Sequence, residues 1–259
     1  PMTESESPQG PQMNALKSSI ETIRVRGPQG SYDMPNPKTV NQARQTPQWP
    51  AWQDVIRQHL VKLEIDGVRR VPISYARAKC RETGEIISPS NLVLGVKTNK
   101  ADGTLIKLSA RGVIDGRGWK SDEPTTTDNL PPEGARMIAA NGMANDEIFV
   151  VADVSNAYSK AKWLEGRKHF FYQFDGFKTE TDEGEPEVYE ATNAHYGAPP
   201  AGHAWQEHLA DALAKAGANR SKIIGGLYLL QMEDQFIKIG TIVDDLLITV
   251  PPKLAGKID

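Results

Sequence analysis

Residues 236–250 read FIKIGTIVDDLLITV. Two apolar runs, rich in β-branched residues and free of proline, flank the adjacent acids Asp244 and Asp245, and this pattern predicts two strands. We expect the two acids to form a two-residue hairpin turn, because aspartate tolerates turn geometry. Neighbouring carboxylates also bind hard cations such as Mg²⁺. On these residues alone, a solvated turn and a metal site are equally good interpretations.

The composition of the 259 residues narrows the class of protein. The length fits one or two domains with a real hydrophobic core. A formal net charge of −3 does not indicate a nucleic-acid partner, although it is compatible with a local basic surface. The single cysteine, Cys80, excludes an internal disulfide, and no apolar run has the length of a membrane span. Because the chain does not begin with Met, we expect it to be part of a longer polypeptide.

Periodicity along the chain predicts mixed helices and antiparallel hairpins, which indicates the α+β class. Residues 1–45 are poor in aromatics and rich in Pro, Ser, Gln, Gly and Asn, so we expect a mostly disordered lead-in. Apolar residues at helical spacing predict helices over residues 49–67 and 203–217. Residues 93–114 read as a hairpin around an Ala-Asp-Gly turn, and residues 148–153 as a buried strand that ends in an aspartate.

That strand-end aspartate, Asp153, is a natural companion for Asp244 and Asp245. If the two strands are neighbours in one sheet, the three carboxylates converge, and they cannot all stay ionised in a low-dielectric site without cations. Two Mg²⁺ ions about 4 Å apart would satisfy them and would clamp the attacking and leaving oxygens of a phosphoryl displacement. Taken alone, Asp153 is equally well explained as a strand-end or helix-capping residue. The sequence holds no zinc-ligand cluster, phosphate-binding loop, dinucleotide fingerprint or GxSxG elbow as a rival.

Seven blocks of the chain, in the same order, resemble the reverse transcriptases of copia-type (Pseudoviridae-like) LTR retrotransposons. The first is the helix over residues 49–67, which closes in GVRRVP and resembles the family's opening block. The other six are KLSARGVIDGRG, VADVSNAY, YQFDGF, YGAPPAGHAWQEHLADALAKAG, RSKIIGGLYL and TIVDDLLIT. Their common order carries the resemblance, because single short motifs recur by chance.

The resemblance implies a right-hand polymerase fold over residues 46–259, with fingers, an antiparallel palm sheet and flanking helices, and without the thumb and RNase H parts. It implies an RNA-directed DNA polymerase that transfers nucleotides from dNTPs to a primer 3′-OH with two Mg²⁺ ions, or with Mn²⁺ in their place. The implied partners are an RNA/DNA primer–template and dNTP, with no membrane. The implied location is intracellular, in cytoplasmic virus-like particles or the nucleus.

The family's catalytic, metal-binding aspartates fall on Asp153, Asp244 and Asp245. By the same resemblance, the backbone carbonyl of Val154 lies beside the metals. These four positions make up the metal site that the resemblance implies.

The family's nucleotide-binding positions also carry over. Tyr158 falls on the aromatic residue that packs under the sugar of the incoming nucleotide, where a ring excludes a 2′-OH and favours dNTP over rNTP. Asn156 and Ala157 fall where backbone N–H groups reach the triphosphate. Lys107 and Arg111 fall on the fingers hairpin that closes over the triphosphate, where cations neutralise developing charge. Without the resemblance, cations on a strand indicate only a solvated face.

Several residues depart from the family pattern. Pro200 stands where the family has a glutamine that contacts nucleotide or template, and proline donates no hydrogen bond. His203 stands in place of an arginine of the same block. These departures favour an alternative, a catalytically degenerate retroelement remnant that keeps the fold and at most binds nucleic acid. The intact aspartates favour an active enzyme, and an unrelated structural or interaction domain is the third hypothesis.

Overall fold

The computed structural model describes residues 20–119, 122–163 and 167–257. Its helices are α1 (Val40–Ala43), α2 (Trp49–Ile65), α3 (Ile73–Thr83), α4 (Pro132–Ala144), α5 (Ala157–Lys160) and α6 (Ala201–Lys215). Its strands are β1 (Thr22–Gly27), β2 (Gly30–Pro35), β3 (Val68–Pro72), β4 (Ser90–Thr98), β5 (Leu105–Ile114), β6 (Ile148–Asp153), β7 (His169–Tyr172), β8 (Glu187–Ala191), β9 (Ala218–Arg220), β10 (Leu227–Met232), β11 (Gln235–Ile242) and β12 (Asp245–Val250). Short 3₁₀ turns cover Gly116–Gly118 and Pro252–Leu254.

The helices predicted from periodicity are present. In α2 the residues Trp52, Ile56 and Leu63 are buried and share one face, which is the reason this stretch forms a helix against the core. The helix ends at Ile65, and Gly67 follows with φ +92°, a left-handed conformation that glycine adopts without strain. The prediction for α6 is confirmed with a start two residues earlier, at Ala201.

The largest sheet contains the predicted C-terminal hairpin. Its order is β6-β12-β11-β10-β9, and every neighbouring pair is antiparallel. Side chains alternate along β11, so Ile239 belongs to a cluster that Leu213 of α6 packs against on one face, while Gly240 lies under Ile138 of α4 on the other. Helices therefore cover both faces of an antiparallel sheet, and the mixed α/β architecture with antiparallel sheets agrees with the predicted class.

The prediction that β6 is buried is wrong. Among the described strands β6 pairs only with β12, so it forms an edge of the sheet. Its apolar residues Ile148, Phe149 and Val150 are exposed, and Val151 is 75% exposed. The reason is that α4 reaches only part of the strand, where Gly142 lets the Phe149 ring approach. Apolar composition predicted the strand correctly, but it could not tell an edge from a centre.

One three-stranded sheet and two two-stranded hairpins complete the strands of the described residues. The order β3-β8-β7 forms one sheet, and β4 pairs with β5 in the predicted hairpin. The main core lies between α2, the β4–β5 hairpin, β7, β8 and the first turns of α6. It includes the large buried side chains Trp52, Phe171, Phe174, Tyr189 and Trp205. This core holds the β4–β5 hairpin next to the sheet that contains the paired acids.

The expected lead-in differs from the structure where it is described. Residues 1–19 lie outside the described residues, but residues 20–45 contain β1, β2 and α1. Val25 and Met34 of the antiparallel β1–β2 pair are buried. The Arg26 amide of β1 donates a hydrogen bond to the Gly103 carbonyl at 2.9 Å. Composition indicated disorder because few apolar residues are present, whereas order comes from contacts with the distant β4–β5 hairpin.

None of the helices in the described ranges combines the length and the apolarity that crossing a membrane requires.

Candidate active site

The hairpin between β11 and β12 carries the paired acids, but its turn differs from the prediction. Ile242 pairs with Asp245, so the two turn residues are Val243 and Asp244, and Asp245 is the first residue of β12. Val243 has φ +57°, which is an outlier for a β-branched side chain. Sequence preference for this turn position favours glycine. The prediction of an Asp-Asp turn is therefore wrong by one residue.

The three predicted aspartates lie close together where β6 ends and β12 begins. Asp245 of β12 is the direct cross-strand partner of Asp153 of β6, which puts the two side chains on the same face. Just beyond this pair, the amide of Val154 donates to the carbonyl of Asp244 at 2.8 Å. Asp153 and Asp245 are exposed, and Asp244 is half-buried. The expectation that the two strands are neighbours is confirmed.

Two tyrosines line the site beside these acids. Burial raises the pKa of the Tyr196 phenol, and the neighbouring Arg111 opposes the rise. Asp244 and Asp153 raise the same pKa further, because their negative charges disfavour a phenolate. Burial likewise raises the pKa of Tyr158, and Tyr196 and Asp244 add to that rise. The two rings meet edge to face, with centroids 4.8 Å apart.

The donor chemistry of the acids suits a hard cation. Carboxylate oxygens are the ligands that Mg²⁺ prefers, and the facing pair Asp153 and Asp245 repels itself until a cation neutralises it. Asp244 adds a third carboxylate from the adjoining turn. Over residues 20–119, 122–163 and 167–257, no three or more His, Cys, Asp or Glu side chains are arranged so that they could hold a metal ion. The fit therefore rests on donor type and strand register.

The loop after β6 holds the other residues predicted beside Asp153. Asn156 adopts a left-handed backbone, φ +55°, and its side-chain amide donates to Asp66 at 3.4 Å. The Ser159 hydroxyl donates to the same carboxylate at 3.1 Å, which ties the loop to the end of α2. Ala157 begins α5 and is buried, and Tyr158 follows, half-buried. The loop therefore has its conformation fixed from a distant element.

The predicted cations lie on one side of a cleft of about 810 Å³ between α2 and the β4–β5 hairpin. Lys107 is exposed, and its direct cross-strand partner is a second lysine, Lys97. Arg111 lies over the ring of Tyr196 at 4.5 Å, a cation–π contact. Lys62 of α2 also lines the cleft. No carboxylate of the described residues forms an ion pair with these three lysines.

The cleft and the acids meet at the segment Tyr196–Gly197. The Ile114 amide at the end of β5 donates to the Tyr196 carbonyl at 2.8 Å. Gly197 has φ +90°, and a Cβ there would lie 2.0 Å from the Ile114 carbonyl oxygen, so only glycine allows this approach. This contact holds Arg111 and its strand next to the sheet edge that carries Asp153.

Sequence reasoning missed Tyr196, Trp205 and Asn129 as site residues, and it took Lys97 only as a cationic point of the β4–β5 hairpin. Tyr196 and Lys97 carried a weak signal, since each stands in a stretch already singled out, but no local pattern marks a cleft residue. Trp205 belongs by its spacing to the apolar stripe that predicts α6, yet its ring nitrogen donates to the Val243 carbonyl at 2.6 Å. Asn129 carried no signal, because it stands in a polar loop.

The residues that depart from the family pattern lie at the start of α6. Pro200 is buried and occupies the N-cap position of the helix. The Nδ1 atom of His203 lies 3.0 Å from the Thr126 carbonyl oxygen. Both residues contribute to local structure at the helix start, whereas the sequence prediction concerned the side-chain amide missing at Pro200 and the arginine missing at His203.

Comparison with known proteins adds one match. Residues 106–253, more than half of the chain, match the family model described as reverse transcriptase (RNA-dependent DNA polymerase). The matched stretch contains the three aspartates, both tyrosines, Lys107 and Arg111. No curated protein matches the chain.

Proposed function

Because the chain belongs to the reverse transcriptase (RNA-dependent DNA polymerase) family, we propose that it is a copia-type enzyme that adds deoxynucleotides to a primer 3′-OH along an RNA template. In this proposal the sheet β6-β12-β11-β10-β9 is the palm, and the β4–β5 hairpin belongs to the fingers. Residues 46–259 make up this fingers and palm unit. The primer–template and the incoming dNTP bind across the cleft between them.

The proposal rests on two cross-strand pairs in which the partners carry the same charge, one a pair of acids and the other a pair of lysines. Asp153 faces Asp245 on the sheet, and Lys97 faces Lys107 on the hairpin. Like charges directly opposite each other destabilise a strand pair, so each pair is better explained by a ligand than by folding. A metal-bound nucleotide carries both complements, because its cations suit the acids and its phosphates suit the lysines. The charge pattern thus favours a metal–nucleotide substrate.

The aspartates would hold the two metal ions, with the Val154 carbonyl as a further oxygen ligand. When bound, Mg²⁺ or Mn²⁺ would lower the pKa of the primer hydroxyl and neutralise the leaving pyrophosphate. The chain's own contribution is positional. Lys107 and Arg111 bind the triphosphate, and the Tyr196 ring orients the Arg111 guanidinium.

We assign the sugar contact to Tyr158. Its ring packs edge to face against Tyr196, beside Asp244. A ring fixed in this way leaves no room for a 2′-OH, while the backbone N–H groups of Asn156 and Ala157 bind the triphosphate. Replacing Tyr158→Ala should admit rNTPs in the extension assay below, and an unchanged preference for dNTP would contradict the assignment.

The decisive experiment is primer extension on poly(rA)/oligo(dT) with dTTP and Mg²⁺. We expect the wild type to extend the primer and Asp244→Asn to lose extension by roughly 10³-fold, because one metal ligand is removed. Asp234→Asn is the matched control, since Asp234 is an exposed acid at the opposite end of β11. Extension by Asp244→Asn at the wild-type rate would overturn the proposed site.

A second candidate function is a degenerate remnant that binds nucleic acid without polymerising. Pro200 favours it, because this position supplies no side-chain amide to nucleotide or template. The same assay separates the two candidates. Binding of primer–template that weakens with salt, together with no extension by the wild type, would support the remnant. Extension that increases in Pro200→Gln would instead show an active enzyme limited by the missing amide.

A further inference from the structure

The turn that carries Asp244 has a backbone that its own sequence does not favour. Val243 stands at the first turn position with φ +57°, where glycine is the preferred residue. Such strain in a β-branched residue persists only when surrounding structure over-determines it. Groups outside the hairpin must therefore hold the turn in place.

Two side chains bind both backbone polar groups of Val243. The ring nitrogen of Trp205, on α6, donates to the Val243 carbonyl at 2.6 Å. The side-chain oxygen of Asn129, in the loop before α4, accepts from the Val243 amide at 3.0 Å. Trp205 is 2% exposed, so its N–H has no access to water as an alternative partner.

The Asn129 side chain is itself fixed by the residue next to Trp205. The Gln206 amide nitrogen donates to the Asn129 oxygen at 3.2 Å, and the Gln206 oxygen accepts from the Asp128 amide at 2.5 Å. The Leu130 amide donates to the Thr241 carbonyl at 2.8 Å, which ties the same loop to β11. One turn of α6 thus holds the strained turn directly and also through the loop.

We propose that Trp205 and Asn129 are positioning residues that lock the Val243 backbone and thereby aim the Asp244 and Asp245 carboxylates at the metal ions. This inference rests on the proposed polymerase function. Asp244 sits on the turn and Asp245 is the first residue of β12, and short side chains follow their backbone. A small rotation of the Val243 peptide would therefore move both carboxylates relative to Asp153.

The test uses variants that remove hydrogen bonds but keep shape. Trp205→Phe keeps an aromatic ring and removes the donor. Asn129→Leu removes the acceptor, while Asn129→Asp keeps an oxygen that can accept from the Val243 and Gln206 donors. Trp52→Phe is the matched control for loss of ring volume, because the buried Trp52 nitrogen makes no hydrogen bond within the described residues. Circular dichroism and thermal unfolding report whether each variant folds.

We expect Trp205→Phe and Asn129→Leu to lower kcat for primer extension about 10- to 100-fold, with little change in KM for dNTP. Asn129→Asp should restore kcat to within a few-fold of the wild type. Folded Trp52→Phe should have the kcat of the wild type, even if its melting temperature is lower. Wild-type kcat in Asn129→Leu, or no rescue by Asn129→Asp, would overturn the inference. If Trp205→Phe fails to fold, the Asn129 pair decides.

Amide hydrogen exchange of Val243 separates this inference from the proposed function. Protection in the wild type and in Asn129→Asp, with its loss in Asn129→Leu, supports the lock even if no variant extends a primer. Equal protection in all three proteins would refute it even if the wild type is an active polymerase. Extension by the wild type, measured separately, decides the proposed function.

Discussion

The two charged hairpins of this protein are built in opposite ways. The β11–β12 hairpin carries acids on a turn that buried side chains of α6 and a distant loop hold in a strained conformation. The β4–β5 hairpin carries cations along its strands, and its tip is closed mostly by bonds of its own, such as Ala101 to Asn99 and Thr104 to Asp102. The Arg26 amide supplies one bond to the tip from outside.

The difference matches what each hairpin would bind. Metal ligands must be aimed within a fraction of an ångström, so a site for cations needs a turn fixed from outside. Phosphates are large and carry charge on several oxygens, and lysine is a flexible point charge, so the cationic hairpin needs no such fixing. The tip of this hairpin, closed mostly by its own bonds, is the part that could move over a ligand, as the proposed fingers must, while the core fixes the strands behind it.

The largest expected effect breaks the acid pair. Asp245→Asn should reduce primer extension by roughly 10³-fold, because it removes a proposed metal ligand. It should also stabilise the metal-free protein by up to about 1 kcal/mol, because Asp153 no longer faces a like charge. Activity is measured by extension, and stability by urea unfolding in EDTA.

Asp211→Asn, which changes an exposed acid of α6, is the control for net charge. Mg²⁺ should raise the melting temperature of the wild type and of Asp211→Asn more than that of Asp245→Asn. A variant that loses both activity and metal-free stability would contradict the interpretation of the acid pair as a ligand site.

A smaller effect is expected from the lysine pair. Lys97→Ala and Lys107→Ala should each raise KM for dNTP by roughly tenfold, the size of one charged hydrogen bond to phosphate. Lys100→Ala is the matched control, because Lys100 is exposed at the tip of the same hairpin and does not line the cleft. Steady-state extension over a range of dTTP concentrations checks this.

If these lysines bind the template instead, KM for dNTP would stay constant. The affinity for primer–template would then fall, and the slope of log K against log salt would decrease by about one for each lysine. That result would assign the cationic hairpin to the polynucleotide and would leave Arg111 as the triphosphate contact.

The smallest effect concerns the attachment of the cationic hairpin to α2. The Nε2 atom of His59 accepts from the Gly112 amide at 2.7 Å, which requires an unprotonated nitrogen. Burial, helped by the charges of Lys62 and Arg111, lowers the pKa of His59 from 6.5 to about 4. Below pH 6.5 the unfolded chain binds a proton at His59 that the native chain does not bind until the pH is about 4. The contribution of neutral His59 to the free energy of unfolding is therefore complete above pH 6.5 and is lost as the pH falls to about 4.

Urea unfolding between pH 7 and pH 4 tests this dependence. His59→Gln keeps an acceptor for Gly112 but does not titrate, so it should lose less stability over the window than the wild type. The difference should be on the order of 3 kcal/mol or less. His208→Gln, at an exposed position on α6, is the control and should follow the wild type. Identical curves for the wild type and His59→Gln would refute the role of His59.

Local patterns predicted several elements correctly but not their environment. The β4–β5 hairpin, α2 and β6 were predictable because alternation, helical spacing and turn residues act over a few neighbours in the chain. The exposure of β6 was not predictable from the sequence, since it depends on which strands pair with β6. The conformation of the Val243 turn was not predictable either, because local preference opposes it and tertiary hydrogen bonds override that preference.

The sequence by itself determined the chemistry available to this protein: three aspartates, a set of cations and a stretch, residues 106–253, that matches one family model. Residue type and order are covalent properties, so they can be read without the fold. Tertiary structure alone decided that Asp153 faces Asp245, that Lys97 faces Lys107, and that α6 holds the turn between the paired acids. These are contacts between residues far apart in the chain, and their free energy comes from packing and hydrogen bonds that no local pattern encodes.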